Sequence, residues 1–178
     1  TRDGDRVTLL ASGGGAWWST RMPEGYKELT SLLKRLDGRE IPDTGQDRVT
    51  EWEALRIHVY RDPQVTERVM RRYETYGVGS SLNRSQDSSG RAGTVEDPYI
   101  TGRASEVYYQ AVTRLRTTLD ALERALNGLA AAKGRKSVIL VSEGFIHDVN
   151  QDEFKRVNQA SRRANAAIYF LNTRGLEG

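Results

Sequence analysis

Gly134-Arg-Lys-Ser-Val-Ile-Leu-Val-Ser-Glu-Gly-Phe145 is the stretch on which the fold turns. A glycine and two cations end a long helical pattern, and an almost wholly apolar run from Ser137 to Val141 follows. Ser142-Glu143-Gly144 closes the run with small and acidic residues. A short continuous apolar run between turn signals predicts a strand covered on both faces, as in a parallel sheet. The carboxyl end of such a strand is where open α/β sheets hold their ligands.

The neighbouring segments agree with a parallel sheet. Upstream, residues 104–132 predict a strong helix, with Tyr108, Val112, Leu115, Leu119, Leu122, Leu126 and Leu129 alternating steps of four and three. This seam could zip to another helix, but a strand follows at once, which favours a crossover helix laying one stripe on a sheet. Downstream, Asn150 with Glu153 has the spacing of a capping box. Phe154, Val157, Ala160 and Ala164 then predict an inward helix face, with Lys155, Arg156, Arg162 and Arg163 outside. Residues 166–171 (Ala-Ala-Ile-Tyr-Phe-Leu) predict the next strand. Strand, helix and strand with short links make a parallel crossover the default.

Nearer the amino terminus, two β-favouring runs, residues 6–12 and 16–22, flank Gly13-Gly14-Gly15 and predict a hairpin. A phosphate-cradling loop would need a helix start directly after the glycines, and tryptophans follow instead. A helix then starts at Pro23, with Leu29, Leu32, Leu33 and Leu36 on one side and Gly38 as its cap. Residues 40–104 read as an insertion of two short helices and a flexible loop. Thr50 caps the first helix, whose apolar face is Trp52, Leu55 and Val59. Asp62-Pro63 opens the second, with Val65, Val69, Met70 and Tyr73 inward. Residues 76–103, dense in Gly, Ser, Asp and Asn, predict the loop, which could add contacts to a binding face.

The chain of 178 residues predicts one domain, residues 1–178, with a real core. Its 27 basic and 24 acidic side chains describe a mixed surface rather than the concentrated basic patch of a nucleic-acid or anionic-membrane binder. The absence of cysteine removes disulfides, thiolate metal sites and a cysteine nucleophile. No segment is long and apolar enough to span a membrane. The abrupt start at Thr1 suggests a piece of a longer or processed chain.

Gly4-Asp-Arg-Val-Thr-Leu-Leu, the helix ending Gly134-Arg-Lys, the run Val138-Ile-Leu-Val-Ser-Glu-Gly-Phe and the segment Arg163-Ala-Asn-Ala-Ala-Ile-Tyr-Phe-Leu together resemble a von Willebrand factor A domain. The likeness is closest to the VWFA-related domains of exported bacterial proteins and covers residues 4–39 and 115–175. It implies a doubly wound, mostly parallel sheet flanked by helices, Rossmann-like, with the amino-terminal hairpin and the 40–104 insertion added. It also implies an extracellular or periplasmic setting and a cation site, called MIDAS, for magnesium or manganese at the carboxyl ends of the strands. In that family the ligands are an Asp-x-Ser-x-Ser loop, a threonine and an aspartate. The loop belongs upstream of Arg6, before this sequence opens; Glu143 stands where the aspartate would be, and Thr117 and Thr118 lie inside a helical pattern. The resemblance therefore implies a degenerate site, with Glu143 its one candidate ligand. It also implies a missing middle strand, whose place upstream residues or a partner would take.

The reading is a non-catalytic protein-interaction or adhesion domain, partnered by a protein or by other segments of its parent chain. Its candidate binding residues are Ser142, Glu143, Gly144, Phe145, Asn172 and Arg174, with the Gly13–Gly15 turn beside them if the hairpin end lies there. Phe145 and Ile146 are either exposed anchors or packing under the next helix. A second reading is a hydrolase-like site at Ser142 and Glu143. Leu140 stands where the Gly-x-Ser-x-Gly elbow needs glycine, and His147 lies too near to act as the usual triad base. A third reading is nucleic-acid contact through the arginine-rich helices at residues 50–73, although the join at Arg61-Asp62 is too tight for a helix-turn-helix. His58, inside a predicted helix, reads as structural.

Overall fold

The computed structural model describes residues 2–12, 17–35, 48–75, 97–146 and 152–173. The chain divides into two units, Thr1–Asp43 and Thr44–Gly178. The Gly13–Gly15 turn, the Gly38 cap, the 76–96 stretch, His147 to Asn150 and Arg174 lie outside the described residues.

The first unit holds the expected hairpin. β1 (Arg6–Leu10) pairs antiparallel with β2 (Trp17–Arg21), with Thr8 opposite Ser19 and their hydroxyls 3.0 Å apart. Helix α1 (Tyr26–Lys34) begins after the Pro23 turn, later than the sequence suggests. A Cβ at Gly25 would lie 1.7 Å from Thr20 Cγ2, so only glycine allows the helix to start this close to β2. The apolar side of α1 buries no residue, and Leu33 is half exposed.

In the second unit α2 (Glu51–His58) starts with a complete capping box. Thr50 Oγ1 accepts the Glu53 N–H at 3.2 Å, and Glu53 Oε2 accepts the Thr50 N–H at 2.9 Å. The expected inward face of α2 needs correction. Trp52 is 55 % exposed and Val59 also reaches solvent, whereas Ala54, Leu55 and Ile57 are buried. Ala54 shares a core with Ala104 of the long helix, and two methyl side chains permit a close helix approach that a tryptophan would prevent. Trp52 stays outside, with the Arg68 and Arg56 guanidiniums 5.5 and 6.0 Å from its ring.

Helix α3 (Pro63–Thr75) opens as read. Asp62 Oδ1 accepts the N–H groups of Gln64 and Val65, and the Arg56 guanidinium beside it holds the carboxyl below its usual range. The link 59–62 is longer than the tight join expected, and Arg61 turns it at a φ of 48°. Val65, Val69 and Tyr73 are buried as the spacing predicts.

Helix α4 (Pro98–Leu129) is 32 residues long and begins earlier than expected. Residues 98–103, read as loop, are its first turns. Asp97 caps it, Oδ1 accepting the Tyr99 N–H at 2.8 Å, and Pro98 occupies the first helical position, where a missing N–H costs nothing. Replacing Asp97 with alanine removes the cap of a helix that both cores share. The expected loss is about 1 kcal/mol of unfolding free energy, read from urea titrations. A loss under about 0.3 kcal/mol would show that the proline alone fixes this start.

The first half of α4 packs Ile100 and Ala104 against α2 and α3, together with Val49, Ala54, Ile57, Val65, Val69 and Tyr73. These helices, expected as an insertion, thus share a core with the spine of the unit. His58 acts structurally here: its Nδ1 lies 2.8 Å from Ser105 Oγ, and its ring packs beside those of Tyr108 and Tyr109. In the second half the heptad seam meets a sheet and a helix. Leu115, Leu119, Leu122 and Leu126 pack on Val157 and Ala160 of α5 (Glu153–Ala164) and on the strands β3 (Lys136–Ser142) and β4 (Ala166–Asn172).

β3 and β4 are parallel, joined through α5, so the predicted crossover is present. Glu153 is the first residue of α5 and pairs with Arg116, so it cannot play the third-residue part of the expected capping box. The architecture is mixed α/β, with one antiparallel and one parallel two-stranded sheet among the described residues.

Candidate binding surface

The surface grows from the register of β3 and β4. Val138 pairs with Ile168, Ile139 with Tyr169, Leu140 with Phe170 and Val141 with Leu171. Partners in a parallel ladder point to the same face, and successive residues alternate. Val138, Leu140, Ala166 and Ile168 therefore turn to the α4–α5 core. Ser137, Ile139, Val141, Ala167, Tyr169 and Leu171 form the opposite face, which carries no charge. There Ile139 is 69 %, Val141 57 %, Tyr169 55 % and Leu171 56 % exposed.

This corrects the expectation of a strand covered on both faces. Among the described residues nothing covers the outer face. The result is a contiguous apolar patch of roughly 400–500 Å², the size of the largest patch on a typical monomer, which is often functional. The β3 edge is open as well. The Lys136 N–H donates to the Asn165 carbonyl (3.0 Å), and the Ser142 carbonyl accepts the Thr173 N–H (3.1 Å). These bonds turn the backbone groups of residues 136 and 142 toward β4, so by alternation Ser137, Ile139 and Val141 turn theirs away. No strand lies on that side among the described residues.

At the carboxyl ends the fold brings Ser142, Glu143, Gly144 and Asn172 together. Ser142 stands opposite Asn172, Glu143 is exposed, and Gly144 makes the turn at a φ of 109°. Phe145 is no exposed anchor. Its ring lies 6.1 Å from Phe154 and 5.9 Å from Phe170, and Ile146 is buried with Leu55 and Ala111. Both pin the strand exit to the cores. Arg174 lies outside the described residues.

The described residues do not by themselves assemble the cation site that the resemblance implies. Among them no group of three or more carboxylates or imidazoles gathers around Glu143 or elsewhere. Thr117 lies in mid-helix, its hydroxyl donating to the Thr113 carbonyl. Nor does Ser142 show a hydrogen bond to a histidine or carboxylate among the described residues.

The outer face was not among the residues singled out in sequence. Alternating apolar residues look the same whether a second layer covers them or not. No protein-family model, curated protein or solved structure matches the chain.

Proposed function

We propose that this chain is a non-catalytic binding domain of the von Willebrand factor A type, part of an exported bacterial protein, that takes up another polypeptide on its β3–β4 sheet. The observation that carries this reading is the bare face of Ile139, Val141, Tyr169 and Leu171 beside an open strand edge. Covering the patch would release roughly 10 kcal/mol before the costs of association, enough to hold a partner of moderate affinity. The edge adds main-chain donors and acceptors for an incoming strand. One parallel crossover, β3–α5–β4, is what a doubly wound sheet repeats, which supports the family reading. The carboxyl-end group Ser142, Glu143, Gly144 and Asn172 borders the same sheet and would form the rim of the contact.

Nucleic acid is the weaker reading because the arginines of α2 and α3 are largely spoken for. Arg56 meets Asp62, Arg71 meets Glu67 and Arg72 meets Glu53, so these two helices present no concentrated basic stripe of their own.

The test places a photo-cross-linking benzoylphenylalanine at position 169 in the source cell. The expected result is an adduct with a discrete polypeptide, lost when Val141→Asp is added. The same cross-linker at Tyr109, exposed on α4, should give none. Val141→Asp is an exposed change and should shift unfolding by about 0.5 kcal/mol or less. Equal labelling at both positions, or an adduct indifferent to Val141→Asp, would sink the reading.

A further inference from the structure

At the amino-terminal ends of β3 and β4, where α4 and α5 finish, five cations gather: Lys133, Arg135, Lys136, Arg162 and Arg163. Hydrogen bonds place them together. Lys136 Nζ donates to the Ala164 carbonyl at 2.8 Å, and the Arg163 guanidinium to Asn127 Oδ1 at 3.3 Å. Arg135 and Arg162 line one shallow, open depression with Ser161 and Asn165. No Asp or Glu occurs between Glu123 and Glu143, or between Glu153 and Glu177. Among the described residues none of the five meets a carboxylate. Arg56, Arg71, Arg72, Arg114, Arg116 and Arg156 all do.

The two helix ends account for part of this charge, since cations suit helix C-termini and Lys136 is spent on a terminal carbonyl. Arg162 and Arg163 suit the last turn of α5 in the same way, whereas Lys133 and Arg135, both exposed, lie beyond the end of α4 and are left over. The chemistry of the end narrows the ligand. Helix C-termini present carbonyls, so among the described residues these two ends offer no cradle of N–H groups for an enclosed phosphate. No aromatic ring lines the depression to stack a base. What remains is an extended anionic surface, met by several cations on flexible stems at once.

We propose that this end of the second unit docks peripherally on the anionic headgroups of a lipid surface. Each cation near such a surface multiplies binding about fivefold, and salt screens the effect. The full chain is sedimented with vesicles of phosphatidylcholine, alone or with about 30 % phosphatidylserine. Binding is expected only to the anionic vesicles and should vanish when salt rises from about 0.05 to 0.5 M. The neutral double variant Arg135→Gln/Arg162→Gln should bind roughly 25-fold more weakly, with an unchanged thermal melt. Arg71→Gln, at an exposed arginine paired with Glu67, should bind as the parent does.

Equal binding to neutral vesicles, or a double variant that binds like the parent, overturns the proposal. Binding to soluble polyglutamate while anionic vesicles are ignored would overturn it too, and would assign the surface to an acidic polypeptide. If the double variant proves unstable, Lys133→Gln/Arg135→Gln repeats the measurement away from the end of α5.

Discussion

Arg72→Met is expected to cost the protein about 3–5 kcal/mol of unfolding free energy at neutral pH. The reason is the carboxylate it would strand. Glu53 has a side chain only 7 % exposed, and Arg72 donates to its Oε1 at 3.0 Å and its Oε2 at 2.9 Å. Arg72 also reaches the Arg48 carbonyl, so a single guanidinium ties α3 to the segment that leads into α2. Methionine keeps most of the apolar stem, so the measured loss reports the charge rather than a cavity. Replacing both partners, Glu53→Met/Arg72→Met, should recover much of the deficit, because two matched apolar side chains leave no buried charge.

Acid provides a second readout of the same pair. Burial alone would raise the Glu53 pKa, but the Arg72 hydrogen bonds and the Thr50 N–H outweigh it and hold the carboxyl below its ordinary value. A depressed carboxylate stabilises the fold above its unfolded pKa, and that contribution is lost as pH falls through the folded pKa. The parent should therefore lose stability below about pH 4. In Arg72→Met only Thr50 still opposes burial, so the deficit should be largest near neutrality and shrink on acidification. A deficit below about 1 kcal/mol, or one that stays constant from about pH 7 to 3, would mean that the pair is incidental to the fold.

Leu126→Ala should cost about 2–5 kcal/mol. Leu126 is fully buried where α4 meets α5 and the inner face of the sheet. Among the described residues β3 and β4 are held from that side alone, so a cavity there has no second layer to compensate for it. The amides of Val138 and Leu140 should then exchange with deuterium faster than those of α2, whose core is separate. Leu33→Ala in α1, half exposed in the other unit, should cost less than about 1 kcal/mol by the same urea titration. Similar losses for the two leucines would contradict this picture of where the core lies.

Local chemistry made much of the fold readable. Asp62-Pro63 announced a helix start because an aspartate can cap and a proline needs no N–H there, and α3 begins at that point. The same pair at Asp97-Pro98 carries the same signal and α4 begins there, at the end of a stretch whose polar composition reads as loop. The two strand runs around α5 were legible for the same local reason, and so was their parallel pairing. The candidate site was only partly legible. Ser142, Glu143, Gly144 and Asn172 do meet at one sheet end because the register places them there. Phe145 and Ile146 turn inward because apolar cores on both sides of the exit can hold them.

The sequence by itself determined the order of elements, the caps at Thr50 and Asp62, the crossover and the stripe along α4. Each of these depends on neighbours within a few residues or on a regular period. Tertiary structure alone decided which faces those elements cover. Trp52 went outside because Ala54 and Ala104 let two helices approach closely. Among the described residues Ile139, Val141, Tyr169 and Leu171 stay bare because the packed helices reach only one side of the sheet. Five cations met because two helix ends and two strand starts converge there. Burial belongs to pairs of surfaces, and a sequence lists only one partner of each pair.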